Sequence, residues 1–169
     1  MIINKIDSYY LINTIKEHNE VKKELLNLIS KIPISNFGNV HHTDWNLPKD
    51  FKREYLNLFI KIMQPYLEKI THFFKGKECM IHNVWFQQYI KNSHHKWHRH
   101  PKSNFTNVYY LELPNNNATT VLLDESDKEI QINAKEGDLV TFPAYILHKS
   151  NIIKDDVRKT VIAFNCCYY

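Results

Sequence analysis

The alternation of apolar and polar positions changes character about halfway along the chain. From Ser8 to about Lys31, the residues Leu11, Ile12, Ile15, Val21, Leu25, Leu26 and Ile29 recur at a loose helical period. Turn-forming residues interrupt this at Ile32-Pro33-Ile34-Ser35-Asn36-Phe37-Gly38. A second helix is predicted from Pro48, a residue suited to a first helical turn. Phe51, Tyr55, Leu58, Phe59, Ile62, Tyr66, Ile70 and Phe73 draw one apolar stripe along it. Pro65 removes a helical N–H and is expected to kink or break that helix. Such stripes are core-packing faces, and no chemistry is assigned to them.

Beyond Gly76 the period shortens to two. Ile81–Ile90, Thr106–Leu113, Thr119–Leu123, Glu129–Asn133, Asp138–Phe142, Tyr145–Lys149 and Arg158–Cys167 are short runs rich in β-branched and aromatic residues. Pro114-Asn115-Asn116-Asn117, Asp124 to Asp127 and Glu136-Gly137-Asp138 punctuate them as turns. Strands at this spacing predict an antiparallel sandwich or barrel. The fold class read from the pattern is α+β, mainly β. Residues 1–76 form a mainly helical support and residues 77–169 a β-sandwich core, all in a single domain with no internal repeat and no linker.

Composition narrows the functions available. The 169 residues, 43% hydrophobic and 24% charged, are ordinary for a globular chain. Three glycines are few for a phosphate-cradling loop or a dinucleotide fingerprint. The net charge of +4 is mild and its lysines are scattered, which argues against nucleic acid as a partner. No apolar run approaches 18 residues, so no membrane-spanning helix is expected. Met1-Ile2-Ile3-Asn4-Lys5 lacks the apolar segment of a secretory leader. Cys79, Cys166 and Cys167 are odd in number, and two are adjacent, so they form no disulfide framework. Reduced thiols in a cytoplasmic protein are the reading they support.

Candidate chemistry gathers at Lys96-Trp97-His98-Arg99-His100-Pro101. In an extended strand His98 and His100 share a face and Arg99 points the other way. Two imidazoles can grip one metal ion, and a third ligand must come from elsewhere. His148, in the apolar run Tyr145-Ile146-Leu147-His148, is the candidate; alone it would read as a hydrogen-bonded core histidine. His94 and His95 fall beside the polar Lys91-Asn92-Ser93 and are expected to be solvated, with a ligand role only if His100 has none. His18, His41, His42, His72 and His82 share no ligand spacing.

On the last predicted strand, Arg158, Thr160, Ile162 and Phe164 share one face, and Lys159, Val161, Ala163 and Asn165 the other. The first face carries the larger apolar groups and is expected to be the inner one. A guanidinium pointing into a sandwich needs a carboxylate, and no acidic residue of that strand shares its face. An external dicarboxylate held by Arg158, with the Thr160 hydroxyl assisting, is one reading. The other is a surface ion pair of Arg158 with Asp155 or Asp156.

These residues together resemble the small Fe(II)/2-oxoglutarate-dependent oxygenases. His98-Arg99-His100-Pro101-Lys102-Ser103, then Val108-Tyr109-Tyr110-Leu111 and Pro114, is similar to a subgroup that reads HxHPxS, SGVYYL and Pro. Glu136-Gly137-Asp138-Leu139-Val140-Thr141-Phe142-Pro143, His148, Arg158-Lys159-Thr160 and Phe164-Asn165 resemble its second half. The resemblance spans Val84 to Asn165, about half of the chain. It implies a double-stranded β-helix, or jelly roll, with the helices packed on its major sheet and iron at one open end. His98, His100 and His148 would hold Fe(II). Arg158 and Thr160 would bind the distal carboxylate of 2-oxoglutarate, and Tyr109 or Tyr110, with one of Gln87 or Tyr89, would also line the cosubstrate pocket. The reaction implied is hydroxylation of a peptidyl side chain, an amino acid or a base by O2, releasing succinate and CO2.

Two departures stand out. His100 occupies a position where most of the superfamily carries Asp or Glu, which leaves the iron one unit more positive. Thr106-Asn107 replaces Ser-Gly. Two rival readings remain at this stage. Gly137, Pro143, His148 and Asn151 resemble the second motif of three-histidine cupin dioxygenases that use no 2-oxoglutarate, although Tyr145 replaces a usual glycine and no glutamate closely follows HxH. A non-catalytic jelly-roll binding protein is the other.

Overall fold

A computed structural model describes residues 8–169; Met1–Lys5, read above for a leader, lie outside the described residues. The elements run β1 (Leu11–Thr14), α1 (His18–Ser30), β2 (His42–Thr43), α2 (Tyr55–Phe73), β3 (Cys79–Tyr89), β4 (His95–His98), β5 (Phe105–Glu112), β6 (Thr120–Leu123), β7 (Glu129–Gln131), β8 (Asp138–Pro143), β9 (His148–Ser150) and β10 (Lys159–Tyr168). The strands form a six-stranded antiparallel sheet, ordered β1-β8-β5-β10-β3-β2, and a four-stranded one, ordered β4-β9-β6-β7. The described residues are therefore mainly β, with two α-helices, as the periodicities predict. Among the described residues no helix is long and apolar enough to cross a membrane.

Two apolar clusters divide the interior. One joins Leu25 and Ile29 of α1 and Phe59, Met63 and Ile70 of α2 to Phe86, Tyr109, Leu139, Ile162 and Phe164 of the large sheet. The other lies between the sheets, where Tyr89, Val108, Tyr110, Val140 and Val161 meet Leu122 of β6. The helices thus cover one face of the large sheet while its other face looks into the sandwich.

The first segment is not helical from Ser8. Leu11–Thr14 pairs with β8 instead, and the Ile15 N–H donates to Gly137 O at 2.9 Å, so α1 begins only at His18. The second helix starts at Tyr55 rather than Pro48, because Arg53 gathers the intervening backbone: its guanidinium donates to the carbonyls of Asp44, Leu47, Pro48 and Phe51 and to the Asp44 carboxylate. The helix then runs unbroken through Pro65. Pro65 and Lys61, whose carbonyl loses its intrahelical donor, both lie on the exposed face, so the freed carbonyl is open to solvent instead of being buried unpaired. Tyr145–Lys149 is a turn followed by a short strand from His148, not a five-residue strand.

Gly137 ties the first strand to the sheet. Its φ of +87° suits a residue without a side chain, and a Cβ there would sit 3.0 Å from His18 Cγ. Gly137→Ala is expected to cost about 1–3 kcal/mol, from the backbone conformation and displacement of the His18 ring. Urea denaturation of the two proteins checks this.

Candidate functional site

His98 closes β4 and His148 opens β9, and the two are register partners across that antiparallel pair. Their side chains therefore share a face. His100 lies past the end of β4, so strand alternation does not align it with His98. It is placed by the backbone: its N–H donates to Ala144 O at 3.0 Å, and the Ala144 N–H donates to Asn104 O at 2.9 Å. The ligand-capable atoms of His98, His100 and His148 all lie within 4.8 Å of one another. His100 Nε2 and His148 Nε2 are 3.2 Å apart.

Two of these rings have their tautomer set by the main chain. His98 Nδ1 is 2.8 Å from Lys96 O and His148 Nδ1 is 3.0 Å from Ile146 O. A carbonyl only accepts, so each Nδ1 carries the hydrogen and each Nε2 presents a lone pair. Burial disfavours the protonated alternative. It lowers the basicity of His98, pushes His100 down to about 4 and holds His148 well below the usual histidine range, with the neighbouring imidazoles adding to the effect in His100 and His148. Three neutral nitrogen donors converging in this way fit a divalent first-row metal.

The cavity beside the histidines, about 30 Å³, is lined by Trp85, Gln87, Tyr89, Thr106, Val108, Thr120, Ser150, Lys159, Val161 and Ala163 among others. His95 also lines it, against the expectation of a solvated loop residue. Its ring stacks on His98 with centroids 3.9 Å apart, and its Nδ1 lies 3.4 Å from Gln87 Nε2.

The inner face of β10 is the reverse of the one predicted. Ile162 and Phe164 pack under the helices, while Lys159, Val161 and Ala163 line the cavity. The larger apolar residues mark the helix-covered side, and the sandwich side keeps small ones. Arg158 accordingly does not enter the pocket. Its Nε and Nη2 donate to the two carboxylate oxygens of Glu112 at 2.8 Å each, with half of its side chain exposed. The ion pair is with Glu112, neither with Asp155 nor with Asp156. Thr160 is buried but turns away from the cavity, its hydroxyl bonded to Glu112 and to Gln88. Tyr109 lies on the helix side, 2.7 Å from His18 Nδ1 through its hydroxyl. Tyr110 faces the sandwich but spends its hydroxyl on Thr120. Gln87 and Tyr89 do line the cavity and bond to each other at 2.9 Å.

The residue missed by the sequence reading is Lys159. It is 1% exposed, and its Nζ meets Ser150 Oγ at 2.8 Å and the Tyr89 ring at 4.7 Å. Burial pushes it down to about 7. Its signal was available in the alternation of the strand, which sets Lys159 opposite Arg158.

No family model and no curated protein matches the sequence. The fold does have solved counterparts. The chain is similar to the viral collagen prolyl hydroxylase of Paramecium Bursaria Chlorella virus-1, in its 2-oxoglutarate (2OG) complex, at 16% identity over 94% of each chain with a TM-score of 0.65. It is similar to an oxidoreductase of the 2OG-Fe(II) oxygenase family from Burkholderia pseudomallei, at 11% identity over 93% of this chain and 83% of that one, with a TM-score of 0.73. A Pseudomonas putida prolyl-4-hydroxylase aligns at 11% identity over 92% and 91% of the chains, with a TM-score of 0.64. At these identities the likeness is one of fold.

Because Arg158 and Glu112 pair at the surface, Arg158→Ala should cost at most about 1 kcal/mol in thermal or chemical denaturation. The same substitution should leave the histidine ring resonances unchanged in an NMR spectrum.

Proposed function

We propose that this chain is an Fe(II)- and 2-oxoglutarate-dependent dioxygenase. It would be a single double-stranded β-helix (jelly-roll) domain over residues 1–169, working in the cytoplasm. The observation that carries the reading is the placement of Lys159: a buried amine and three convergent imidazoles open on one cavity. The fold shared with 2OG-Fe(II) oxygenases supports it.

His98, His100 and His148 would hold the iron, which when bound supplies the activation of dioxygen that couples oxidation of 2-oxoglutarate to that of the prime substrate. What the protein itself contributes is binding and orientation. The Lys159 ammonium anchors the distal carboxylate of 2-oxoglutarate in the place expected for Arg158, with the Ser150 hydroxyl beside it. Val108, Val161 and Ala163 add apolar wall among the polar lining residues, which limits the water able to compete for that contact. A dicarboxylate is larger than the present cavity, so His95 and Gln87, joined at its edge, give way on entry. For the prime substrate, a peptidyl side chain is the class supported by the two prolyl hydroxylases among these structures.

The three-histidine donor set would equally suit a cupin-type dioxygenase without 2-oxoglutarate. Lys159 argues against it, since an amine buried without a counter-charge is explained by an anionic ligand. Protein purified without oxygen should carry about one iron per chain and release succinate from 2-oxoglutarate. Lys159→Met should abolish 2-oxoglutarate binding, measured calorimetrically, while Arg158→Ala should retain it. Iron with no affinity for 2-oxoglutarate in the native chain would favour the cupin.

The shift of Lys159 also sets a pH dependence. Unfolded, the amine keeps its proton up to the ordinary value of 10.5; folded, only to about 7. Between these values the unfolded chain binds more protons, so the penalty for burying Lys159 is full below pH 7 and shrinks as pH rises. Lys159→Met should therefore stabilise the ligand-free protein on the order of 1–4 kcal/mol at pH 7 and below, fading toward pH 10. Affinity for 2-oxoglutarate should run the other way. Above pH 7 its binding must recharge the amine, so it takes up a proton and weakens with rising pH, which calorimetry in buffers of different ionisation enthalpy detects.

A further inference from the structure

Five groups around His100 form one hydrogen-bonded chain whose direction can be read from its ends. Ile146 O only accepts, so His148 Nδ1 donates to it at 3.0 Å and His148 Nε2 is left with a lone pair. His100 Nε2, 3.2 Å from that lone pair, must then carry a hydrogen. His100 Nδ1 is consequently an acceptor, and Asn165 Nδ2 donates to it at 3.2 Å. Thr106, the cross-strand register partner of Asn165, donates its hydroxyl to Asn165 Oδ1 at 3.0 Å. Each link pairs one donor with one acceptor, and Asn165 and Thr106 are 4% and 1% exposed.

This direction leaves His100 in the wrong tautomer for a metal ligand, because its Nε2 is occupied by hydrogen. The other two histidines cannot change, being fixed by carbonyls. Asn165 and Thr106 can. An amide rotated by half a turn offers its oxygen to His100 Nδ1 and its N–H to the Thr106 hydroxyl, which accepts as readily as it donates. The imidazole then keeps its single proton on Nδ1 and presents Nε2 to the site.

We infer that Asn165 is a positioning residue that sets the tautomer of His100: it donates to Nδ1 in the metal-free chain and accepts from Nδ1 when a metal is bound. The inference rests on the metal-centre reading above.

Long-range ¹⁵N–¹H NMR of the imidazoles tests it without reference to turnover. In metal-free protein His98 and His148 should be Nδ1–H tautomers and His100 the Nε2–H tautomer; with Zn(II) added all three should be Nδ1–H. Asn165→Leu, which fills the space without polar atoms, should weaken Zn(II) binding about 10–100-fold, the range for partners of ligating histidines. Asn165→Asp, which can only accept, should bind at least as tightly as the native chain and show His100 as Nδ1–H even without metal. A metal-free His100 already in the Nδ1–H form overturns the inference, as does native affinity in Asn165→Leu. If that variant does not fold, the native spectra and Asn165→Asp decide. A native chain that takes up no Zn(II) or Fe(II) sinks the metal-centre reading together with the switch, whereas native binding unaltered in Asn165→Leu sinks the switch alone.

Discussion

A strand covered on both faces has no solvent side, and all ten residues of β10 are buried. It lies between β5 and β3 in the large sheet, with the helices on one side and the small sheet on the other. Its alternation therefore separates two interiors instead of core from water. Ile162 and Phe164 fill the helix side, where Phe164 meets Phe59 of α2 edge-on at 5.7 Å. Val161 and Ala163 face the sandwich and are small enough to leave a cavity. The same alternation sends Lys159 and Asn165 toward the histidines and Thr160 away from them. A one-residue slip of register would exchange the two sets and dismantle the site.

The histidines depend on a second constraint, the direction of hydrogen bonds. A neutral imidazole can ligate through Nε2 only if Nδ1 keeps the proton. His98 and His148 solve this alike, each donating to the carbonyl two residues earlier. His100 stands outside its strand with a side-chain amide for a partner. A histidine donor at this position thus places a requirement on its neighbour, and a group able to both donate and accept meets it.

Much of this was legible in the sequence. The apolar stripe of α2 and six of the seven predicted strands agree with the structure to within a few residues, since long runs of one period leave little choice. His98 and His148 stood out for their chemistry, and the fold brings them side by side. The failures have local causes. Leu11–Thr14 and His95–His98 are too short for periodicity to decide, and their pairing with β8 and β9 makes them strands. His95 read as a loop residue because its stacking on His98 is a tertiary contact. The misassignment of β10 was different in kind. Apolar bulk marks the inner face of a strand covered on one side, a rule that fails when both faces are covered and only one must leave room.

Arg158 and Lys159 show how much rests on that distinction. They are adjacent cations with opposite environments, and among the described residues only Arg158 has a counter-charge. Arg158 reaches Glu112 at the rim, where water already screens it, and the pair fastens the start of β10 to the end of β5. Lys159 has hydroxyl and aromatic neighbours that stabilise an ammonium far less than a carboxylate would. Folding alone gains nothing from burying it, since an apolar side chain would fill the space at lower cost. The arrangement becomes favourable once an anion enters, because the desolvation already imposed on the amine makes its attraction to a carboxylate stronger than at a wet surface. A cavity that destabilises its own lysine is thereby prepared for an anionic ligand.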